Sequence, residues 1–174
     1  FGDWHAAEAR MRSVLAIDPQ HLPTLDALSY MHVAVGRARE GAVDRIAYAA
    51  RDPLAANYQF KLVYAYWILG RIGDADRASD RAMRLWPKHP GVWISRLWTL
   101  AFTGRARLAL AHVDDAGARP DFPPWMVDSL RVSMTALDSR RPADVVKAVE
   151  GLLGLITYAP SHSVNAIMIL TGLG

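Results

Sequence analysis

The chain of 174 residues contains no cysteine, which excludes a disulfide framework and any thiolate metal site. Long apolar runs are missing too. None reaches the roughly eighteen residues that a membrane-spanning helix needs, so no membrane association is expected. Lysine is scarce. The basic residues are nearly all arginine, spread along the chain rather than gathered into a run, and the net charge is only +3 although the pI is about 9.4. A nucleic-acid-binding arm would show a basic cluster, so nucleic acid is not the expected partner. The first ten residues lack the basic-then-apolar order of a secretory signal. With the absence of cysteine, this gives a cytoplasmic location as the expectation.

Reactive constellations are also missing. There is no G-x-S-x-G turn, no phosphate-binding G-x-x-x-x-G-K-[ST] loop and no H-E-x-x-H helix. Gly70-Arg71-Ile72-Gly73 follows helical rather than strand periodicity, which argues against a dinucleotide loop. His21, His32, His89, His112 and His162 are scattered, and none forms an i, i+4 ligand pair. Asp76 and Asp80 share a helix face with Arg77, Arg81 and Arg84 around them, as on a solvated salt-bridge surface. The expectation is a protein that is not an enzyme and carries no cofactor and no metal.

What is present is a period. Gly2, Gly36, Gly70 and Gly104 are spaced by 34 residues. Pro19, Pro53 and Pro87 share the spacing, with Pro120 one residue early, and Ala7, Gly41, Ala75 and Ala109 repeat it as a small residue. Three tracks at one period define a helix–turn–helix unit. The glycine ends the first helix, where a left-handed residue lets the chain reverse. The small residue lies where two helices cross closely. The proline stops the second helix. Apolar residues between these marks recur at three and four positions, as in Ile72, Ala75, Ala78, Ala82 and Leu85, or Phe60, Val63, Tyr64 and Trp67. Strand-type alternation is absent.

First helices are therefore predicted near 22–35, 56–69, 90–103 and 124–137. Second helices are predicted near 3–17, 37–51, 71–86, 105–118 and 142–157, with a last helix near 161–172. The unit from Ala56 to His89, with Leu62, Tyr66, Gly70, Ile72, Ala75, Ala82 and Pro87, resembles the tetratricopeptide repeat family. The unit from Pro90, with Trp93, Gly104, Ala109 and Ala116, resembles it as well. The resemblance covers about residues 1–120. It implies an all-α fold, a right-handed α-solenoid of antiparallel helix hairpins, as one array over 1–174. That array divides into a half repeat 1–21, repeats 22–55, 56–89 and 90–123, a longer repeat 124–160 and a terminal helix 161–174. Arg96 and Arg131 stand where the pattern calls for apolar or small residues. Ser139-Arg140-Arg141-Pro142 reads as the turn of the longer hairpin.

Phe1–Gly2 reads as the end of a first helix, and Leu173–Gly174 repeats Leu69–Gly70. The expectation is a fragment of a longer bacterial array, truncated at both ends; the richness in Arg and Ala suggests a GC-rich genome. Its unpartnered terminal helices would favour homo-oligomers.

The resemblance also implies a site. Tyr30, Tyr64 and Trp98 recur at 34 residues on first helices, the position that faces the concave groove in the family. Phe60, Trp67 and Phe102 fall at neighbouring groove positions, beside Asn57, Lys61, Ile94 and Ser95. Aromatic side chains anchor partners because each buries a large area with few rotamers. The same rings can instead pack between neighbouring hairpins. Family members that grip C-terminal carboxylates use Lys, Asn and Arg in the groove. Here the Asn positions hold Tyr30 and Tyr64, and Lys61 is the only clear cation, so an acidic tail is not the expected ligand. The function implied is a scaffold that binds a protein or peptide segment, as an interaction or regulatory arm of a larger protein. The alternatives are the sensing or oligomerisation module of a transcriptional regulator and, behind it, a nucleic-acid-binding helical repeat.

Overall fold

Three turn glycines on the 34-residue track adopt the left-handed backbone that the period requires. Gly36, Gly70 and Gly104 have φ of 86°, 72° and 76°, a region where a Cβ is costly. These residues close the first helices of successive hairpins in a computed structural model that describes residues 2–158 and 163–174. The described residues form helices α1 (Trp4–Ile17), α2 (Leu22–Ala34), α3 (Ala38–Ala49), α4 (Ala56–Ile68) and α5 (Ile72–Leu85). After them come α6 (Pro90–Ala101), α7 (Ala106–Asp114), α8 (Pro124–Ser139), α9 (Pro142–Tyr158) and α10 (Ser163–Leu173). No strand occurs among the described residues. Arg96 and Arg131 fall inside α6 and α8 without breaking them, and Arg131 bridges Asp114 and Asp128. The start of the predicted last helix, at 161–162, lies outside the described residues.

The largest boundary difference from the sequence reading is in α7. α7 stops at Asp114 rather than near 118. Asp115 leaves the helix, and its side chain accepts the Ala118 backbone N–H at 3.1 Å. The local side-chain bond competes with the next helical turn and ends it. In the longer hairpin the turn falls at Arg140, as its sequence suggests, but without a glycine. Arg140 itself takes the left-handed conformation at φ 54°.

The chain divides into two compact units, Phe1–Ser95 and Arg96–Gly174. In the first, Tyr48, Ala49, Leu62, Val63, Ala75 and Ala78 form a core, with Leu22, Leu25, Ile46, Tyr58 and Tyr66 packed against it. The small-residue track explains how close the helices come. A Cβ on Gly41 would stand 2.5 Å from the Ser29 carbonyl oxygen, so α3 crosses α2 with no room for a side chain. Ala75, the same phase one repeat later, has no exposed surface. Leu85, which the spacing places on the buried face of α5, is exposed because the helix ends there. α1 buries none of its residues, and Trp4, Val14 and Ile17 are exposed. The second unit buries Val113, Leu130, Met134, Leu137, Leu152 and Ile169, among others.

Candidate functional site

α4 carries the aromatic row. Phe60, Tyr64 and Trp67 are separated by four and three residues and therefore share one helix face. The Phe60 and Tyr64 rings meet edge to face at 6.3 Å, and Tyr64 and Trp67 are 6.3 Å apart. All three are half-buried. Phe60 is the most constrained, since its ring lies on Gly91, where a Cβ would come within 2.7 Å, and 6.0 Å from the His89 ring. Part of Phe60 is thus packing.

Tyr30, on α2, is 63% exposed. Its hydroxyl influences that of Tyr64, whose pKa is pushed up first by burial and then by Tyr30, with Arg45 opposing. Asn57 is exposed at the first turn of α4, and Ile94 is half-buried on α6. Lys61 lies beside the row, with Nζ 5.9 Å from the Phe60 centroid. That ammonium already has a counter-ion, Asp26, at 2.5 Å.

Trp98 and Phe102 belong to the second unit. Their rings are 5.8 Å apart. Trp98 retains only 3% of its surface, so the alternative reading, a packing residue, describes its position. Phe102 is half-buried, and a Cβ on Gly172 of α10 would meet it at 3.1 Å. Of the expected groove residues, α4 brings together Phe60, Lys61, Tyr64 and Trp67, while Tyr30 on α2 lies against Arg45.

Sequence reasoning missed the polar groups behind this row. Asp26 accepts the Tyr48 hydroxyl on one oxygen and Lys61 on the other, tying α2 to α3 and α4. Arg45, on α3, is 5% exposed, and its guanidinium lies 5.3 Å from the Tyr30 ring centroid. Asp26 and Arg45 look like ordinary helix-surface charges in sequence, and no spacing rule marks them.

A second recess, about 470 Å³ and lined by Arg12, His32, Arg37, Glu40 and Asp44 among others, opens in the same unit. Several of its charges pair with one another or with Glu8 beside it. Glu8 pairs with Arg12 and Arg37, Arg37 also with Glu40, and His32 Nδ1 lies 3.0 Å from Asp44. Among the described residues no group of three or more His, Asp or Glu side chains is arranged to hold a metal ion. No helix among them is long and apolar enough to cross a membrane.

No protein-family model matches the chain, and no curated protein matches it in sequence. Solved structures do. A thermophilic TPR protein in Thermus thermophilus aligns with a TM-score of 0.70 at 19% identity, over 98% of this chain and 90% of that one. The MamA protein aligns with a TM-score of 0.56 at 17% identity, over 91% and 87%.

Proposed function

We propose that this helical-hairpin solenoid of the tetratricopeptide type is a protein-binding scaffold that takes an extended or helical partner segment along the aromatic face of α4. The observation that carries this reading is the row Phe60, Tyr64 and Trp67 on one face of α4. A row of rings fixed by neighbouring rings loses little entropy on binding, and large apolar side chains of a partner can pack on it. A fold of this kind supplies a frame rather than a reaction, so the function is argued from this surface. Exposed Trp4 and Ile17 on α1 and Ile167 on α10 support a second activity of the same scaffold, association between copies.

The test is binding of segments selected from a random-peptide display library. Tyr64→Ala and Trp67→Ala should each weaken the selected segments by about 1–3 kcal/mol while the helical circular dichroism signal is kept. Unchanged affinity would move the binding surface away from α4. Loss of the helical signal would make both residues core.

A further inference from the structure

His32 of α2 is buried, at 4% exposure, and carboxylates from the helices on either side flank its ring. Nδ1 lies 3.0 Å from Asp44 Oδ2 on α3, and Nε2 lies 3.9 Å from Glu8 Oε1 on α1. A neutral imidazole carries one N–H and one bare lone pair. With the proton on Nδ1, the ring donates to Asp44 and turns its lone pair toward Glu8. With the proton on Nε2, the lone pair meets Asp44 at hydrogen-bond distance. Neither tautomer serves both acids, and Nε2 is buried without a hydrogen-bond partner. Only the doubly protonated ring can donate on both sides.

The groups around the ring favour that state. Asp44 has no other ion pair among the described residues, and Glu40 of α3 is a further carboxylate that a His32 charge stabilises. Glu8 is held below the usual carboxylate range, first by Arg12. It therefore stays ionised across the range, about pH 5 to 8, in which an imidazole changes charge. Of the cations nearby, Arg12 and Arg37 are bonded to Glu8, and Arg37 also to Glu40. Arg39 lines the same recess but is exposed, where solvent and salt screen it. A carboxylate offers about four acceptor positions, so Glu8 can receive His32 beside the two arginines.

α1 has little else to hold it. It buries none of its residues, and the face on which Glu8 lies is completed by the half-buried Ala7, Met11 and Leu15. Among the described residues, Glu8 makes every polar side-chain contact from α1 to later helices, with His32 and Arg37. We propose that His32 is a proton-operated latch: on taking a second proton it donates to Asp44 and Glu8 together and locks α1 onto α2 and α3. The sign follows from linkage. A proton held more tightly while α1 is docked must, once bound, hold α1 more tightly in return. Mild acid closes the latch, and a rise in pH frees α1. Release takes away the wall that Arg12 gives to the recess of about 470 Å³, whose other sides are Leu28 and His32 of α2 and Val43 and Asp44 of α3. The latch is independent of the aromatic face of α4.

The experiment uses the full chain and the deuterium exchange of α1 amides, expressed as protection factors so that the intrinsic pH dependence of exchange is divided out. A helix that buries none of its residues opens locally at a lower free energy than the chain unfolds, so these amides report the latch and the melting midpoint does not. Protection in α1 should be about tenfold higher at about pH 5.5 than at about pH 8, the effect of a proton held tenfold more tightly in the docked state. Amides of α4 and α5 should show no such difference. Nitrogen-15 spectra of the imidazoles should show His32 gaining its second proton over the same range. His32→Gln and Glu8→Gln should each flatten the α1 profile, and Asp44→Asn should reduce it. His5→Gln and His21→Gln, at exposed histidines on α1 and at the start of α2, should leave it unchanged. Should His32→Gln fail to fold, Glu8→Gln removes the facing carboxylate without entering the core and carries the same expectation. The proposal is overturned if α1 protection is equal at the two pH values, if the difference survives in Glu8→Gln, or if it disappears with His5 or His21. A His32 ring that stays neutral down to about pH 5 would overturn it as well.

Discussion

The Tyr48 hydroxyl of α3 donates to the Asp26 carboxylate of α2 at 2.7 Å. The other oxygen of Asp26 holds Lys61 of α4, so one carboxylate joins three consecutive helices. The Tyr48 hydroxyl is correspondingly hard to ionise, chiefly because it is buried, and Asp26 adds to the effect.

Asp26→Asn should therefore destabilise the chain by about 1–3 kcal/mol, because Lys61 is left half-buried without a charge partner. Lys61→Met keeps the stem and leaves Asp26 still bonded to the Tyr48 hydroxyl, so it should cost less than Asp26→Asn. Urea melts of the two variants compare them directly. Equal costs would mean that Asp26 does not act as the common tie.

Close helix crossings give a second prediction. Gly41→Ala drives a methyl toward the Ser29 carbonyl, and Ala75→Leu overfills a site with no free surface. Each should cost about 1–3 kcal/mol. Arg77→Ala, on the exposed face of the same α5 helix as Ala75, should stay within about 0.5 kcal/mol. A denaturant series in which all three coincide would break the assigned helix phase.

Stability should fall in acid. Glu8 is held below the usual carboxylate range mainly by Arg12, Glu40 by Arg37, Asp74 by Arg71, and Asp144 by Ser139 and then Arg141. A carboxyl with a lowered folded pKa binds its proton less tightly in the folded chain than in the unfolded one. Its contribution is complete above the ordinary value of about 4 and is lost as pH falls through the lowered one. Melting temperature should hold steady above about pH 5 and decline below about pH 4, less steeply for Glu8→Gln and at high salt. A midpoint that does not move down to about pH 2 would contradict these pairings.

Copies should associate through α1 or α10. Sedimentation velocity across the micromolar range should show a concentration-dependent species that Trp4→Ser with Ile17→Ser, or Ile167→Ser, reduces. A single monomer throughout would show these exposed side chains to be solvated without consequence.

The helices were legible because their punctuation is covalent chemistry. Gly36, Gly70 and Gly104 can adopt a backbone that other residues resist, Pro19, Pro53 and Pro87 lack the N–H that a helix needs, and both facts survive without neighbours. The end of α7 was less legible. Asp115 is compatible with a helix, and only its bond to the Ala118 N–H shows that it caps a turn instead. The aromatic residues were identifiable as a set by their phase. Phase does not separate Trp98, at 3% exposure, from Tyr30, at 63%, because burial depends on what the rest of the chain lays over each position. Arg45 was invisible for the same reason. An arginine on an amphipathic helix reads as solvated until a tyrosine ring is found covering it.

The turn between α8 and α9 has a consequence for motion. Arg140 holds the left-handed conformation that glycine supplies in the earlier hairpins, and its Nη1 donates to the Gly172 carbonyl of α10 at 2.6 Å. A strained backbone thus leans on a bond to a residue 32 positions away. When α10 lifts away, that bond is lost and the turn is left to relax alone. Fraying at the C-terminal helix and loosening of the α8–α9 corner therefore become one event, and backbone amides in both places should exchange with solvent deuterium at a shared rate.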